Sequence, residues 1–268
     1  MGKYDGTILL SDMDGTLLNS ESRVSKKNKE AVLNYIKEGG RFGIATGRTL
    51  TNAVAFLEDT KINGYCILAN GSLLYDCKKQ EYVEEIAIDK KSIRDFLKKC
   101  LREQKHIGIQ VYMRDLSCFI SPEEFVDPDV VKDHIPVEFS DMEQLWDKNW
   151  TKILFSGTEQ EIEWIQKESQ YLEESAAVNR VRSAVKYYEF LPKGSSKGDM
   201  LERLRKHLDK ETKIYAVGDY YNDEEMLKNA DIGIAVLNAP ENVKQYADVV
   251  CRNCDEDAIA DIIENIIR

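Results

Sequence analysis

Residues 8–18 read ILLSDMDGTLL. Three aliphatic residues run into Ser11, and Asp12 and Asp14 then flank Met13 ahead of Gly15 and Thr16. A short continuous apolar run closed by polar and glycine residues is the pattern of a strand buried on both faces. Two carboxylates two residues apart repel each other, so their place at the end of such a strand needs a compensating charge. Open α/β sheets gather their ligands at the carboxyl ends of the strands. Asp12 and Asp14 therefore mark a place where chemistry is expected.

Working outward, Ala31, Val32, Tyr35 and Ile36 recur at helical spacing within residues 26–38, and Gly39-Gly40 supplies a stop. RFGIA at 41–45 and YCILA at 65–69 are further buried-strand runs, and strand, helix, strand indicates a parallel sheet. The style returns late in the chain. KIYAVG (213–218) and DIGIAV (231–236) are separated by the helical DEEMLKNA, with ADVVC (247–251) and a closing helix over 255–267 after them. The stretch between differs in texture. It holds a helix around 91–104, IGIQVYM and SCFIS joined at Arg114-Asp115, the strand TKILFSG, a helix over 159–174, and a hairpin of NRVRSAV and KYYEFL. The expectation is an α/β protein in which residues 1–80 and 191–268 form one Rossmann-like parallel sheet core. Residues 81–190 then form an inserted α+β domain.

The 268 residues suffice for two modest domains, and 43% hydrophobic with 32% charged residues describes a globular chain. A formal charge of −11 argues against a nucleic-acid partner held by a basic surface. No apolar stretch approaches the ~18 residues that cross a bilayer, so no membrane partner is expected. MGKYDGTILL is interrupted too soon by Asp12 to serve as a signal peptide, which makes the cytoplasm the expected location. The six scattered cysteines fit a reducing compartment, and the lone C-x-x-C of Cys251 and Cys254 reads as two ordinary thiols.

The strand-like runs lead to a recurring kind of residue. RFGIA ends in Thr46-Gly47-Arg48, YCILA in Asn70-Gly71, and KIYAVG in Asp219, followed by Asn222 and Asp223. KGSSKGDML places Lys197 near a helix start, with Gly194 and Gly198 around it. Singly, each has a local reading as a turn, a helix cap or a solvated charge. Together, at the same edge of one sheet, they make a site.

DMDGTLL, ATGR, the SKG of 196–198 and GDYYND resemble the four motifs of the haloacid dehalogenase superfamily. The insert between the second and third motifs resembles that of its Cof-type sugar phosphatase branch, with its C2B cap, and the likeness extends to NAPENVKQYAD near the end. The resemblance implies a HAD-like, Mg²⁺-dependent phosphatase acting on small phosphorylated metabolites through an aspartyl-phosphate. Asp12 would be the nucleophile, since a carboxylate with a reference pKa near ~3.9 is ionised at neutral pH. Asp14 would be the general acid and then the base, aided by the neighbouring negative charge. Asp12, the Asp14 backbone carbonyl and Asp219 would ligate the metal, with Asp223 direct or through water. Lys197 would balance charge, while Thr46 and the Gly47 amide would hold phosphoryl oxygens. Arg48, Asn70 and Asn222 would bind substrate or organise the site. Ala258 and Leu237 stand where the family usually has glycine.

The insert would supply the remaining recognition by closing over the site and excluding water. Arg182, Lys186, Tyr187 and Tyr188 are candidates there, against the reading that they pack or solvate. Sugar phosphates, flavin mononucleotide and pyridoxal phosphate all fall within the family's range, and fold alone does not choose among them. The alternatives are a phosphomutase and a non-catalytic regulatory protein. Dehalogenation has no use for GDYYND, and an ion-pumping ATPase needs membrane spans. The expected assembly is a monomer or weak homodimer.

Overall fold

The computed structural model describes residues 2–103, 106–128, 138–175 and 178–268. β1 (Thr7–Ser11) is buried along its whole length, as its apolar run requires. α1 (Lys26–Lys37) begins where the Ser25 hydroxyl accepts from the Asn28 amide at 3.1 Å. It packs Ala31, Val32 and Tyr35 inward. β2 (Arg41–Ala45), α2 (Leu50–Leu57) and β3 (Tyr65–Leu68) follow, then an antiparallel pair, β4 (Leu73–Asp76) and β5 (Glu81–Glu85). Because β5 pairs with β4, residues 81–85 belong to the first sheet, beyond the point where the texture of the sequence changes.

α3 (Lys90–Arg102) opens the insert on the Asp89 cap; the sequence pattern carried this helix on to Gln104, which lies outside the described residues. β6 (Gly108–Tyr112), β7 (Ser117–Phe119), β8 (Glu138–Phe139) and β9 (Lys152–Ser156) come next. The apolar-periodic stretch after β9 forms two helices, α4 (Glu159–Glu168) and α5 (Gln170–Glu174), rather than one. Thr158 and Glu161 cap the first reciprocally, and Ser169 ends it. β10 (Val178–Ala184) and β11 (Tyr187–Pro192) are the expected hairpin. The chain then returns through α6 (Lys197–Leu204), β12 (Lys213–Gly218), α7 (Glu224–Asn229), β13 (Ile232–Ala235), α8 (Glu241–Lys244), β14 (Val249–Val250) and α9 (Ala258–Asp261).

Two sheets result. The first runs β14-β13-β12-β1-β2-β3-β4-β5, parallel from β14 to β3 and antiparallel beyond. The second runs β10-β11-β9-β6-β7-β8 and is antiparallel except between β7 and β8. The chain divides into two compact units, Met1–Glu85 with Ser196–Arg268, and Ile86–Ser195. Each unit has its own apolar core. In the first, Leu9, Val32, Phe42 and Ile44 cluster with Val217, Ile234 and Ile259. In the second, Ile109, Val111, Ile153, Phe155 and Phe190 meet Phe96 and Leu97 of α3 and Ile162 and Ile165 of α4. Trp150 is fully buried there, its indole N–H donating to the Leu145 carbonyl at 2.9 Å, and Trp146 and Trp164 pack against the same cluster. No helix among the described residues is long and apolar enough to cross a membrane.

Candidate active site

β12, β1, β2 and β3 lie side by side, and a residue marked out by the sequence follows each: Asp219, Asp12, Thr46 and Asn70. From β1 the chain proceeds to β2 and β3 on one side, while β12, β13 and β14 extend on the other. Asp12 and Asp219 therefore flank the point where the strand order reverses, which is where an open sheet leaves a crevice.

Lys197 is the first residue of α6, with no exposed side-chain surface. Its Nζ stands 2.6 Å from Asp12 Oδ1 and 2.6 Å from Asp223 Oδ1. The other Asp223 oxygen accepts from the amides of Asp219 at 3.0 Å and Tyr220 at 3.1 Å, which closes the turn after β12. Thr16 donates its hydroxyl to Asp219 Oδ1 at 3.2 Å. Gly15, at φ +78°, lies so close that a Cβ there would stand 2.6 Å from Asp219 Oδ2. One carboxylate oxygen from each of Asp12, Asp219 and Asp223 lies within 4.8 Å of the others.

Asp14 has a different environment. Its side chain is 54% exposed and receives the Arg48 guanidinium in two parallel bonds, Nε to Oδ2 at 2.9 Å and Nη2 to Oδ1 at 2.8 Å. Arg48 in turn lies 3.9 Å from the centroid of the Phe56 ring. Arg48 thus pairs with Asp14 in this state, and the charge facing Asp14 is a guanidinium. Thr46 is buried, and its hydroxyl accepts from the Arg48 amide at 3.2 Å. Its carbonyl accepts from the Asn70 amide at 3.0 Å. Asn70 adopts the left-handed conformation, φ 53° and ψ 36°, and its side chain lies against Gly47 and accepts from Asn222 Nδ2 at 3.2 Å. Thr46, Gly47, Asn70 and Asn222 accordingly form one linked group across three loops.

Burial pushes the Asp12 carboxyl well above the usual carboxylate range, with Lys197 pulling against it and Asp223 and Asp219 adding to the push. Asp219 is pushed up to about 6, by burial first and Asp223 second. Burial alone would lower the Lys197 ammonium, but Asp12 and Asp223 more than reverse it and hold it above its ordinary value. Three carboxylates against one lysine leave an excess of buried negative charge. The donor set is all hard oxygen, and together these two facts suit a divalent cation.

The structure thus brings Asp12, Lys197, Asp219 and Asp223 together, and joins Asp14 to Arg48. In the insert, Tyr188 is buried in the apolar cluster, while Arg182 pairs with Glu159 at 3.4 Å and Lys186 with Asp127 at 3.1 Å. Sequence reasoning missed Thr16, Phe56 and Asn238, whose Nδ2 donates to the Gly15 carbonyl at 2.8 Å. Thr16 and Asn238 stand inside stretches already singled out. Phe56 carries no signal beyond its place on the α2 face.

The chain belongs to the haloacid dehalogenase-like hydrolase family, which it matches over residues 9–263. The resemblance carried by the four motifs is borne out. Phosphatase YwpJ of Bacillus subtilis is 29% identical across 97% of this chain and 99% of its own length. The 5-amino-6-(5-phospho-D-ribitylamino)uracil phosphatase YwtE of the same organism is also 29% identical, over 96% of each chain. A haloacid dehalogenase-like hydrolase from Bacteroides thetaiotaomicron has a similar structure, with a TM-score of 0.83 and 27% identity over 98% of this chain and 100% of that one. Within the family, the chain is a hydrolase of the phosphatase class.

Proposed function

We propose that the protein hydrolyses phosphate monoesters of small metabolites, sugar phosphates or compounds of similar size, by way of an aspartyl-phosphate on Asp12 and with Mg²⁺ as the cation. The observation that carries this reading is the Asp12 carboxyl, buried beside Lys197 at 2.6 Å and converging with Asp219 and Asp223. Relatives named as phosphatases, one acting on a ribityl phosphate, support the substrate class.

Asp12 would attack phosphorus with one oxygen, which requires it ionised; burial opposes that state and the Lys197 ammonium favours it. Asp12, Asp219, Asp223 and the Asp14 carbonyl would hold the cation. When bound, it neutralises charge on the attacking carboxylate and the phosphoryl oxygens. Thr46 and the Gly47 amide would hold equatorial oxygens, with Asn222 and Asn70 fixing their loops. Asp14 would give a proton to the leaving oxygen and then take one from the attacking water, which requires Arg48 to release it when substrate arrives. The insert would supply recognition of the organic part of the substrate. A monomer or weak homodimer in the cytoplasm fits this reading.

The test is release of phosphate from an aryl phosphate and from a panel of sugar phosphates. Asp12→Asn abolishes release, as does EDTA, with activity restored by Mg²⁺. Release that survives either change would overturn the mechanism.

A further inference from the structure

On the first sheet, two cysteines meet. Cys66 lies in β3 opposite Tyr75 of β4, and Cys77 stands two residues further on, so the two thiols share one face of the antiparallel pair. Their sulfurs are 3.3 Å apart. Cys66 is buried and Cys77 partly exposed. Both line a groove of about 260 Å³, together with Ile44, Leu50, Val54 and Tyr75, through which a small oxidant can reach them. The C-x-x-C pair is arranged otherwise: the Cys251 thiol turns to the Arg252 carbonyl and the Cys254 thiol to the Asn253 side chain.

We infer that Cys66 and Cys77 form a dithiol site that peroxides oxidise to an intramolecular disulfide. Cys77 is the attacking sulfur. Its hydrogen bond with Cys66 lowers it from its ordinary value against the opposing effects of burial and Asp76, while that bond and burial raise Cys66. The Cys77 thiolate attacks one peroxide oxygen, the O–O bond breaks, and the second oxygen leaves as hydroxide, or as alkoxide from an organic hydroperoxide. Cys77 is then a sulfenic acid. The Cys66 sulfur displaces its hydroxyl and forms the S–S bond. The peroxide gains the two electrons the sulfurs lose, and the two thiol protons end in two waters, or in one water and one alcohol. The closed ring contains Ala69, Asn70 and Gly71, so oxidation braces the turn that presents Asn70.

The full chain, treated with hydrogen peroxide, is alkylated in denaturant and cut with trypsin. Cleavage after Lys61 and Lys78 puts both cysteines in one peptide, 62–78. The expected product is that peptide unalkylated and lighter by two hydrogen atoms, with both thiols recovered after dithiothreitol. The partly exposed Cys77→Ser prevents the loss and leaves Cys66 open to alkylation, while the Cys100 peptide stays alkylated throughout. Full alkylation of Cys66 and Cys77 after peroxide would overturn the inference, as would a disulfide joining either to another cysteine. The wild-type peptide mass decides the matter whatever the variant's stability.

Discussion

At Lys197 two unfavourable placements coincide: a cation in the first turn of α6 and an ammonium with no contact with solvent. Asp12 and Asp223 offset both, and the dependence is mutual, because removing the lysine strands two buried carboxylates. Lys197→Met is expected to lower stability in EDTA by roughly 3–5 kcal/mol, read by thermal unfolding. Phosphate release falls at least ~100-fold, since the lost charge acts where the transition state gathers negative charge. Added Mg²⁺ restores part of the stability and little of the rate. Asp219 supplies a second expectation. Its folded-state value of about 6 lies above its ordinary 3.8, so the folded protein binds the extra proton between these limits. In EDTA the stabilising contribution is complete below about pH 4 and is lost as pH rises through 6, by about 3 kcal/mol. Unfolding midpoints across this range check it, and Asp219→Asn removes this group's share of the slope.

At the scale of elements, the site depends on loops gripping one another. Gly71, at φ +94°, follows Asn70, and a Cβ there would stand 2.0 Å from the Ser196 carbonyl, immediately before Lys197. Gly71→Ala is expected to cost about 2–3 kcal/mol, a loss of roughly 5–10 °C in Tm, and to lower phosphate release by displacing the start of α6. The parallel strands were legible in the sequence because burial on both faces leaves an uninterrupted apolar run, as in TILLS and KIYAVG. The β4–β5 pair was not, since EYVEE is polar and only half-buried and lies at the sheet's edge. Ser169 divides a stretch whose apolar spacing reads as one helix, because spacing does not register a local cap. The residues at the candidate site were legible through their motifs. The grip of Arg48 on Asp14, and of Phe56 on Arg48, was not, because such contacts between residues far apart in sequence leave no periodic trace.

For the whole molecule, the two units have separate apolar cores, so each is expected to open as its own cooperative block. Trp150→Ala removes a fully buried indole and its hydrogen bond, and is expected to destabilise the Ile86–Ser195 unit by about 3–5 kcal/mol. Amide hydrogen exchange then quickens across β6, β9 and β11 while β1 and β12 keep their protection. Equal loss in both sheets would mean that one cooperative block spans the chain.

The placement of the indoles also has an optical consequence. All three tryptophans of the protein, Trp146, Trp150 and Trp164, lie in the inserted unit, and the Met1–Glu85 and Ser196–Arg268 unit has none. Emission excited at the red edge of indole absorption therefore reports on the insert alone. A substrate analogue that alters that emission does so through the insert, and a cation that binds among Asp12, Asp219 and Asp223 leaves it unchanged unless the insert responds. Without introducing any label, the fluorescence of the native chain separates events in the unit expected to select the substrate from events in the unit expected to cleave it.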